Sequence, residues 1–430
     1  MIERISEVEA HEKHGKKHPR LSQDQFDVAI VGGGLVGAVA GLCFERFGGA
    51  DFHTLILERG AFAALGRGAG RAYALSHSTK VLFEMLGLWQ TMAPFAQPIV
   101  DIDITDSALE SPLRPVFLQF SGEIALGQAG AYIIEHEALA GPVYKALGQA
   151  GNVTVLDECA FDGFRAEPRG AVLGADGAEV KAGLLIGADG RGSRVREGAG
   201  IKVHRSDYDQ DGVVVTVGLS RPHEGRAVQH FLPSGPFAIL PLTGDRASLV
   251  WTEKRGVAAD MCALDDEAFE AEINKRFSPK LGTVELVGPR QNFPLSLLLA
   301  HSFIADRVAL IGDAAHGVHP LAGQGMNIGF RDVAALVEIV LETRRLGLDF
   351  GNLEPLERYQ QWRRFDGVMS AFAMDGLNRL FSNDVGFLQE LRGFGLRLVD
   401  RLPPLKEFFV KEAAGVNGDV PLLMQGKPLC

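Results

Sequence analysis

The sequence predicts an α/β fold, α+β overall: a β-α-β core interrupted by an antiparallel sheet and followed by helices. Three observations predict it. Phe26 to Val31 is an apolar run, broken only by Asp27, that meets a glycine turn and then a helical pattern over Leu35 to Phe47. A central stretch breaks into short β-branched and aromatic runs separated by turn signals. From Asn327 onward the pattern is helical, punctuated by Pro355, Pro403 and Pro404. A strand without alternation is one covered on both faces, as in parallel sheets.

Taken in order, residues 1–25 read as a disordered polar tail. They lack the apolar core of a secretory signal, and Glu3, Glu7, Glu9 and Glu12 are too many acids for a transit peptide. His11, His14 and His18 read as part of a solvated extension, with no further ligands to make a metal site. Strand Phe26 to Val31, the turn Gly32-Gly33-Gly34, helix Leu35 to Phe47 and strand Phe52 to Leu57 form the β-α-β unit. Gly212 to Leu219, Ala227 to Leu232, Phe237 to Leu242 and Ala247 to Trp251 read as an antiparallel meander. Val308 to Ile311 is a further buried strand that ends on glycine. The expected division has four parts. A discontinuous nucleotide-binding domain takes 26–97, 132–203 and 300–350, and a substrate domain takes 98–131 and 204–299. The tail 1–25 precedes them, and a helical region, 351–430, follows.

Composition narrows the function. The chain has 430 residues and a formal net charge of −11, with both signs mixed, which disfavours a nucleic-acid partner. Cys43, Cys159, Cys262 and Cys430 lack paired spacing and read as thiols of a reducing compartment. No run reaches the roughly 18 apolar residues of a membrane-spanning helix. The expected location is therefore cytoplasmic.

Gly32-Gly33-Gly34-Leu35-Val36-Gly37 fits GxGxxG. Gly32 permits the tight turn, Gly34 lets a pyrophosphate lie against the backbone, and Gly37 lets helix and sheet pack closely. The helix N-terminus, through Leu35 and Val36, offers free N–H groups and partial positive charge to phosphates. Glu58, followed by Arg59, ends the second strand, where a carboxylate bonds ribose hydroxyls and repels a 2′-phosphate. This Rossmann-like segment leaves FAD and NAD equally open.

Two later segments decide between them. One runs Gly187-Ala188-Asp189-Gly190-Arg191-Gly192-Ser193-Arg194-Val195-Arg196. The other runs Gly312-Asp313-Ala314-Ala315-His316 and continues through His319-Pro320-Leu321-Ala322-Gly323-Gln324-Gly325-Met326-Asn327-Ile328-Gly329. With the glycine fingerprint, these motifs resemble the flavin-dependent aromatic hydroxylases that include para-hydroxybenzoate hydroxylase. The resemblance implies FAD, with Asp313 on the sugar-alcohol chain. It also implies that the loop Pro320, Gly323, Gln324, Gly325, Met326 and Asn327 presents N–H groups to the flavin's pyrimidine edge. Reduced flavin carries negative charge there, which a helix N-terminus stabilises. Asp189 either lies near the pyrophosphate or caps the helix that starts near Ser193. Arg71 is placed by resemblance on the FAD phosphates, for which a planar guanidinium is suited.

Further segments are closest to the ubiquinone-biosynthesis hydroxylases of the UbiH/UbiF/VisC group. They include Ala74-Leu75-Ser76, Ile133-Ile134-Glu135-His136, Leu249-Val250-Trp251 and Asp375-Gly376-Leu377-Asn378-Arg379. The resemblance implies hydroxylation of a polyprenylated phenol by O2 through a flavin hydroperoxide. The reductant is NAD(P)H or another electron source. The cofactor carries the chemistry while the protein orients the ring and excludes water. Phe231, Phe237, Leu240, Phe293 and Leu295 are candidate pocket residues. Pro320 packs near the flavin ring by resemblance, and His316 and His319 either bond the loop, relay a proton or are structural. The rival readings are a non-catalytic FAD-binding scaffold of a quinone-biosynthesis complex and a related FAD oxidoreductase of the prenyl-reductase or halogenase type.

The segment Phe387 to Lys411 alternates apolar residues with Arg392, Arg397, Arg401, Lys406 and Lys411. It either packs on the domains or lies on a surface: the inner face of a bacterial cytoplasmic membrane, or another ubiquinone-biosynthesis protein. On the membrane reading, the protein sediments with anionic liposomes and neutralising those five basic residues releases it. Undiminished sedimentation of that variant contradicts the reading.

Overall fold

The protein's structure, a computed structural model, describes residues 25–68, 70–106, 116–232, 234–277, 281–317, 325–364 and 410–429. Its first sheet starts with β1 (Gln25–Val31), crosses through helix α1 (Leu35–Phe47) and returns in β2 (Thr54–Leu57), parallel to β1. Strand Val153–Leu156 extends the sheet beyond β2. A small antiparallel sheet pairs β3 (Ala72–Ser76) with Ala131–Glu135. On the other side of β1 lies β4 (Ala178–Gly187), also parallel. The far edge of β4 is shared: its first half pairs antiparallel with Gly170–Ala175, and its end pairs parallel with Val308–Leu310.

Burial explains why β1 shows no alternation. Val28, Ala29 and Ile30 are fully buried, as are Leu55 and Ile56 beside them and Ala38, Val39 and Phe44 of α1. Both faces of the sheet are covered from Val28 onward, so each of those positions is apolar. Helix α1 is dense in Gly and Ala because it is wedged between this sheet and a later helix. Gly41, for example, approaches Ile56 and Leu147 so closely that a Cβ would sit 2.8 Å from Ile56 Cδ1.

The second sheet is built from β5 (Val203–Leu219), β6 (Arg226–Leu232), β7 (Gly235–Leu242), β8 (Arg246–Lys254) and β9 (Gln291–Ala300). Its order is β9-β5-β8-β7-β6, followed by Asp101–Asp106 and Val116–Ser121. The expected meander is thus only partly correct. Strands β6, β7 and β8 are consecutive hairpins, but β5 pairs with β8 rather than with β6. The link after Leu219 crosses the sheet. Strand β6 also pairs parallel with Asp101–Asp106, a non-local pairing that local turn signals do not encode.

β5 is longer than its apolar half. It begins at Val203, and residues His204 to Asp207 pair with β9 although they are mostly polar. The outer face of this sheet has its own core. Val213, Val215, Phe237, Ile239, Leu249 and Trp251 pack on Phe269 and Ile273 of helix Asp266–Arg276. Trp251 donates its Nε1–H to Glu253 (3.2 Å), and the Arg276 guanidinium lies 4.2 Å from the indole centroid.

Helix α2 (Gly325–Arg345) returns to the first sheet and packs along α1. Of the expected helical C-terminal region, residues 353–364 are helical and 410–413 form a short turn of helix. The basic amphipathic segment lies almost wholly outside the described residues. Among the described residues, no helix is long and apolar enough to cross a membrane.

The first turn is sterically closed. A Cβ on Gly37 would sit 2.0 Å from the Gly32 carbonyl oxygen, and one on Gly32 would sit 2.4 Å from the Ala188 carbonyl oxygen. Gly37→Ala is therefore expected to destabilise the protein by about 1–3 kcal/mol, the usual cost of overpacking. Chemical denaturation checks this, and an unchanged midpoint contradicts it.

Candidate active site

The glycine turn, the Asp189 turn and the Gly312 turn lie far apart in sequence and touch in space. Gly32 has φ +106°, which suits glycine, and its backbone lies against Ala188 and Asp189. Gly312, φ +58°, abuts Val36 of α1. Gly329 of α2 abuts both Val36 and Gly312: its missing Cβ would lie 3.1 Å from Val36 Cγ2 and 3.3 Å from Gly312 Cα. Val36 is thus the meeting point of the first and third motifs, and Ala188 that of the first and second.

What this junction presents outward fits a nucleotide. A Cβ on Gly34 would have no neighbour within 4 Å, so the backbone there faces open space. α1 begins at that glycine with no side-chain cap and no acid in its first turn. Its N–H groups are therefore left for an external anion. Glu58 follows β2 directly, with Oε2 accepting from Gly33 N–H and Oε1 from Gly60 N–H, both at 2.7 Å. Those bonds fix the carboxylate beside the turn while leaving each oxygen a second lone pair for ribose hydroxyls. Asp313 leaves its carboxylate half exposed, with Arg191 Nε 3.7 Å away.

The sequence-predicted residues divide into several groups. Gly32, Gly34, Leu35, Val36, Gly37, Glu58, Gly312 and Asp313 gather at this junction. Arg59 is exposed just past β2. Asp189 resolves toward the capping reading. Its Oδ2 accepts from the N–H groups of Arg194 (2.7 Å) and Val195 (3.2 Å), and Ser193 caps Arg196 N–H. Arg71 is exposed and donates to the Gln291 side chain of β9 at 3.3 Å, so it bridges the first part of the chain to the second sheet. Gly325 and Met326 open α2. His319, Pro320, Gly323 and Gln324 lie outside the described residues.

Asn327 sits in the first turn of α2 with its side chain fully engaged elsewhere. Its Oδ1 accepts from Ser76 N–H (3.0 Å) and the Thr79 hydroxyl (2.9 Å), and its Nδ2 donates to the Ala74 carbonyl (2.7 Å). Only its backbone remains for a cofactor; the side chain ties the helix start to β3.

His316 is corrected as a catalytic candidate. Its side chain is fully buried, Nε2 lies 2.5 Å from Asp332 Oδ2, and Phe303 packs against the ring. Asp332 also accepts from Gly312 N–H (3.0 Å) and from Arg363 Nε (2.9 Å). Burial would raise the Asp332 pKa, but the His316 and Arg363 partners outweigh it and hold it below the usual carboxylate range. The group anchors the Gly312 turn through the Asp332 carboxylate and is closed off from solvent. Asp332 and Arg363 escaped sequence reasoning because nothing local marks a buried ion pair.

Among the pocket candidates, Phe231, Leu240, Phe293 and Leu295 share the inner face of the second sheet. Ala227 and Leu240 on that face pack with Ala72 and Ala74 of β3, and Phe293 and Leu295 flank Gly212. Phe237 is a correction. It belongs to the outer core, 5.9 Å from Trp251 ring to ring, because strand side chains alternate and its phase is that of Ile239. Arg191 ties this sheet to the cofactor motifs through bonds to the Ser296 hydroxyl (3.1 Å) and carbonyl (2.6 Å) of β9.

Fold and site together define an FAD-binding oxidoreductase. A family model described as an FAD binding domain matches residues 25–345. The ubiquinone hydroxylase UbiL of Rhodospirillum rubrum is 41% identical over 408 residues, spanning 94% of this chain and 93% of that protein. The 3-demethoxyubiquinol 3-hydroxylase of Escherichia coli is 32% identical over 398 residues, spanning 92% of this chain and 100% of that protein. The crystal structure of p-nitrophenol 4-monooxygenase from Pseudomonas putida superposes with a TM-score of 0.73 at 16% identity, over 92% of this chain and 99% of that one, a likeness of fold. The chain belongs to the FAD-dependent hydroxylases of ubiquinone biosynthesis.

Removing the half-exposed carboxylate tests the site. Asp313→Ala is expected to weaken FAD binding on the order of tenfold or more, the value of a hydrogen bond to a charged group. Flavin absorbance after gel filtration checks it, and a full complement of FAD in the variant contradicts it.

Proposed function

We propose that this protein hydroxylates the aromatic ring of a polyprenylated phenol in ubiquinone biosynthesis, using FAD, O2 and NAD(P)H. The observation that carries the reading is the convergence of three cofactor motifs beside the largely apolar inner face of the second sheet. One atom of O2 enters the ring and the other leaves as water, with NAD(P)H supplying two electrons. Bound FAD supplies the redox chemistry, accepting those electrons and activating O2.

The chain's own residues bind and orient. Gly34 and the N-terminus of α1 receive the pyrophosphate, Glu58 the adenosine ribose and Asp313 the sugar-alcohol chain, with Arg71 reaching the phosphates. Gly325, Met326 and the Asn327 backbone, with Pro320, Gly323 and Gln324, hold the flavin's pyrimidine edge. Phe231, Leu240, Phe293 and Leu295 offer the ring an apolar wall and keep water from the reacting carbon. The apolar side chains on this face suit a prenyl chain, since each buried CH2 contributes about 0.8 kcal/mol.

The division into an FAD-binding unit (26–97, 132–203, 300–350) and a substrate unit (98–131, 204–299) is part of the same reading. So is peripheral residence on the inner face of the cytoplasmic membrane, where such a substrate dissolves.

The test is isotopic. Purified holoenzyme is given NADH or NADPH, a short-chain 2-prenylphenol and 18O2. A hydroxylated product carrying the heavy oxygen supports the reading. Oxidation of the nucleotide with all oxygen recovered as hydrogen peroxide, across a set of prenylphenols, contradicts it.

A further inference from the structure

One face of β3 packs on the second sheet, and the other carries a polar pair that the cofactor motifs do not include. Ala72 and Ala74 belong to the first face. Tyr73 turns the other way, against the core of the first sheet. Its hydroxyl lies 3.0 Å from Nδ1 of His136, the first residue of helix His136–Leu147. His136 Nε2 in turn faces the Leu65 carbonyl at 3.4 Å. A carbonyl can only accept, so the neutral ring carries its proton on Nε2 and Nδ1 accepts from the Tyr73 hydroxyl. That leaves the Tyr73 oxygen with lone pairs for a donor from elsewhere. The imidazole is held in place: a Cβ on Gly68 would sit 2.3 Å from its ring carbons, and the His136 backbone N–H donates to the Arg71 carbonyl at 2.8 Å.

The donor within reach is Arg71. It stands two residues before Tyr73, the spacing that returns side chains to one face of an extended chain. Burial raises the Tyr73 pKa, and the charge and hydrogen bond of Arg71 oppose the rise, so guanidinium and hydroxyl are neighbours. Arg71 itself is exposed, with its Nε on Gln291. On its other side Tyr73 neighbours Tyr144, whose hydroxyl donates to the Gly33 carbonyl of the glycine turn at 3.2 Å. Glu58 and Tyr73 both add to the burial that raises the Tyr144 pKa. Glu58, Tyr144, Tyr73 and Arg71 thus form a row that runs from the ribose carboxylate to the edge of the second sheet. A long exposed side chain loses rotamer freedom when it grips a ligand. A fixed acceptor that already directs its planar fork reduces that loss.

We infer that Tyr73, backed by His136, is a positioning residue that holds the Arg71 guanidinium toward the pyrophosphate of FAD. The inference rests on the reading that Arg71 reaches the FAD phosphates, and it adds what directs it there. Tyr73 acts through Arg71, without contact of its own to the cofactor.

The experiment is a double-mutant cycle on the FAD dissociation constant, read by fluorescence titration of the flavin-stripped full-length protein. Tyr73→Phe keeps the ring and removes the oxygen. It is expected to weaken FAD binding about threefold to tenfold, the range for one net hydrogen bond. In an Arg71→Ala background the same substitution should change nothing. His136→Asn, whose amide oxygen falls near the Nδ1 position, should bind FAD as wild type does, whereas His136→Leu should weaken binding as Tyr73→Phe does. A packing role would give Tyr73→Phe the same effect with and without Arg71. Equal effects in the two backgrounds, or no effect of Tyr73→Phe on wild type, overturn the inference. If Arg71→Ala leaves FAD binding untouched, the reading of Arg71 fails and the inference with it, while the proposed reaction is unaffected. Should Tyr73→Phe not fold, the two His136 variants taken through the same cycle decide.

Discussion

A pyrophosphate can lie against a peptide backbone only where no Cβ stands between them, and that exclusion organises this molecule. It places Gly34 at the mouth of α1, and it requires the two flanking glycines to close the turn behind it. Gly32 and Gly37 are so tightly apposed to the Ala188 carbonyl and to each other that the strand, the turn and the helix form one unit. α1 and α2 then meet at Val36, Gly312 and Gly329, where the absence of side chains lets the third motif dock on the first. The cofactor site is thus a consequence of close packing among backbone segments rather than of a collection of reactive side chains.

The second sheet is joined to that unit by a few polar links. Arg191 reaches Ser296 while staying near Asp313, Arg71 reaches Gln291, and Arg246 forms a bidentate pair with Glu135. Between these links the contact is apolar, Ala74 and Ile133 against Ala227 and Leu242. An apolar contact bordered by few polar groups is the composition usual beside ligand sites. The buried His316–Asp332–Arg363 group serves the same end from the opposite side: it fixes the Gly312 turn and so the direction in which Asp313 points.

The legibility of the sequence follows from this division. The cofactor motifs could be read directly, because glycines at fixed spacing are demanded by backbone contact and cannot be replaced by equivalent chemistry. α1 was legible to the residue at both ends, since the triple glycine begins it and Gly48 follows it. Face assignment in the second sheet was not. Gly235–Leu242 is an almost continuous apolar run, so no alternation tells Phe237 from Leu240, and tertiary packing alone decides. The early half of β5 was invisible because its residues are polar and its partner, β9, lies far along the chain. His316 misled because it neighbours a functional motif, whereas its role depends on Asp332 and Arg363, which are distant in sequence.

The central claim is that three separated backbone turns form one site for a single FAD. Calorimetric titration of flavin-stripped protein with FAD tests it most directly. The account predicts saturation at one FAD per chain, with FAD bound far more tightly than riboflavin, because the pyrophosphate and adenosine ribose meet the glycine turn and Glu58. Absence of binding, or equal affinity for riboflavin, would contradict it.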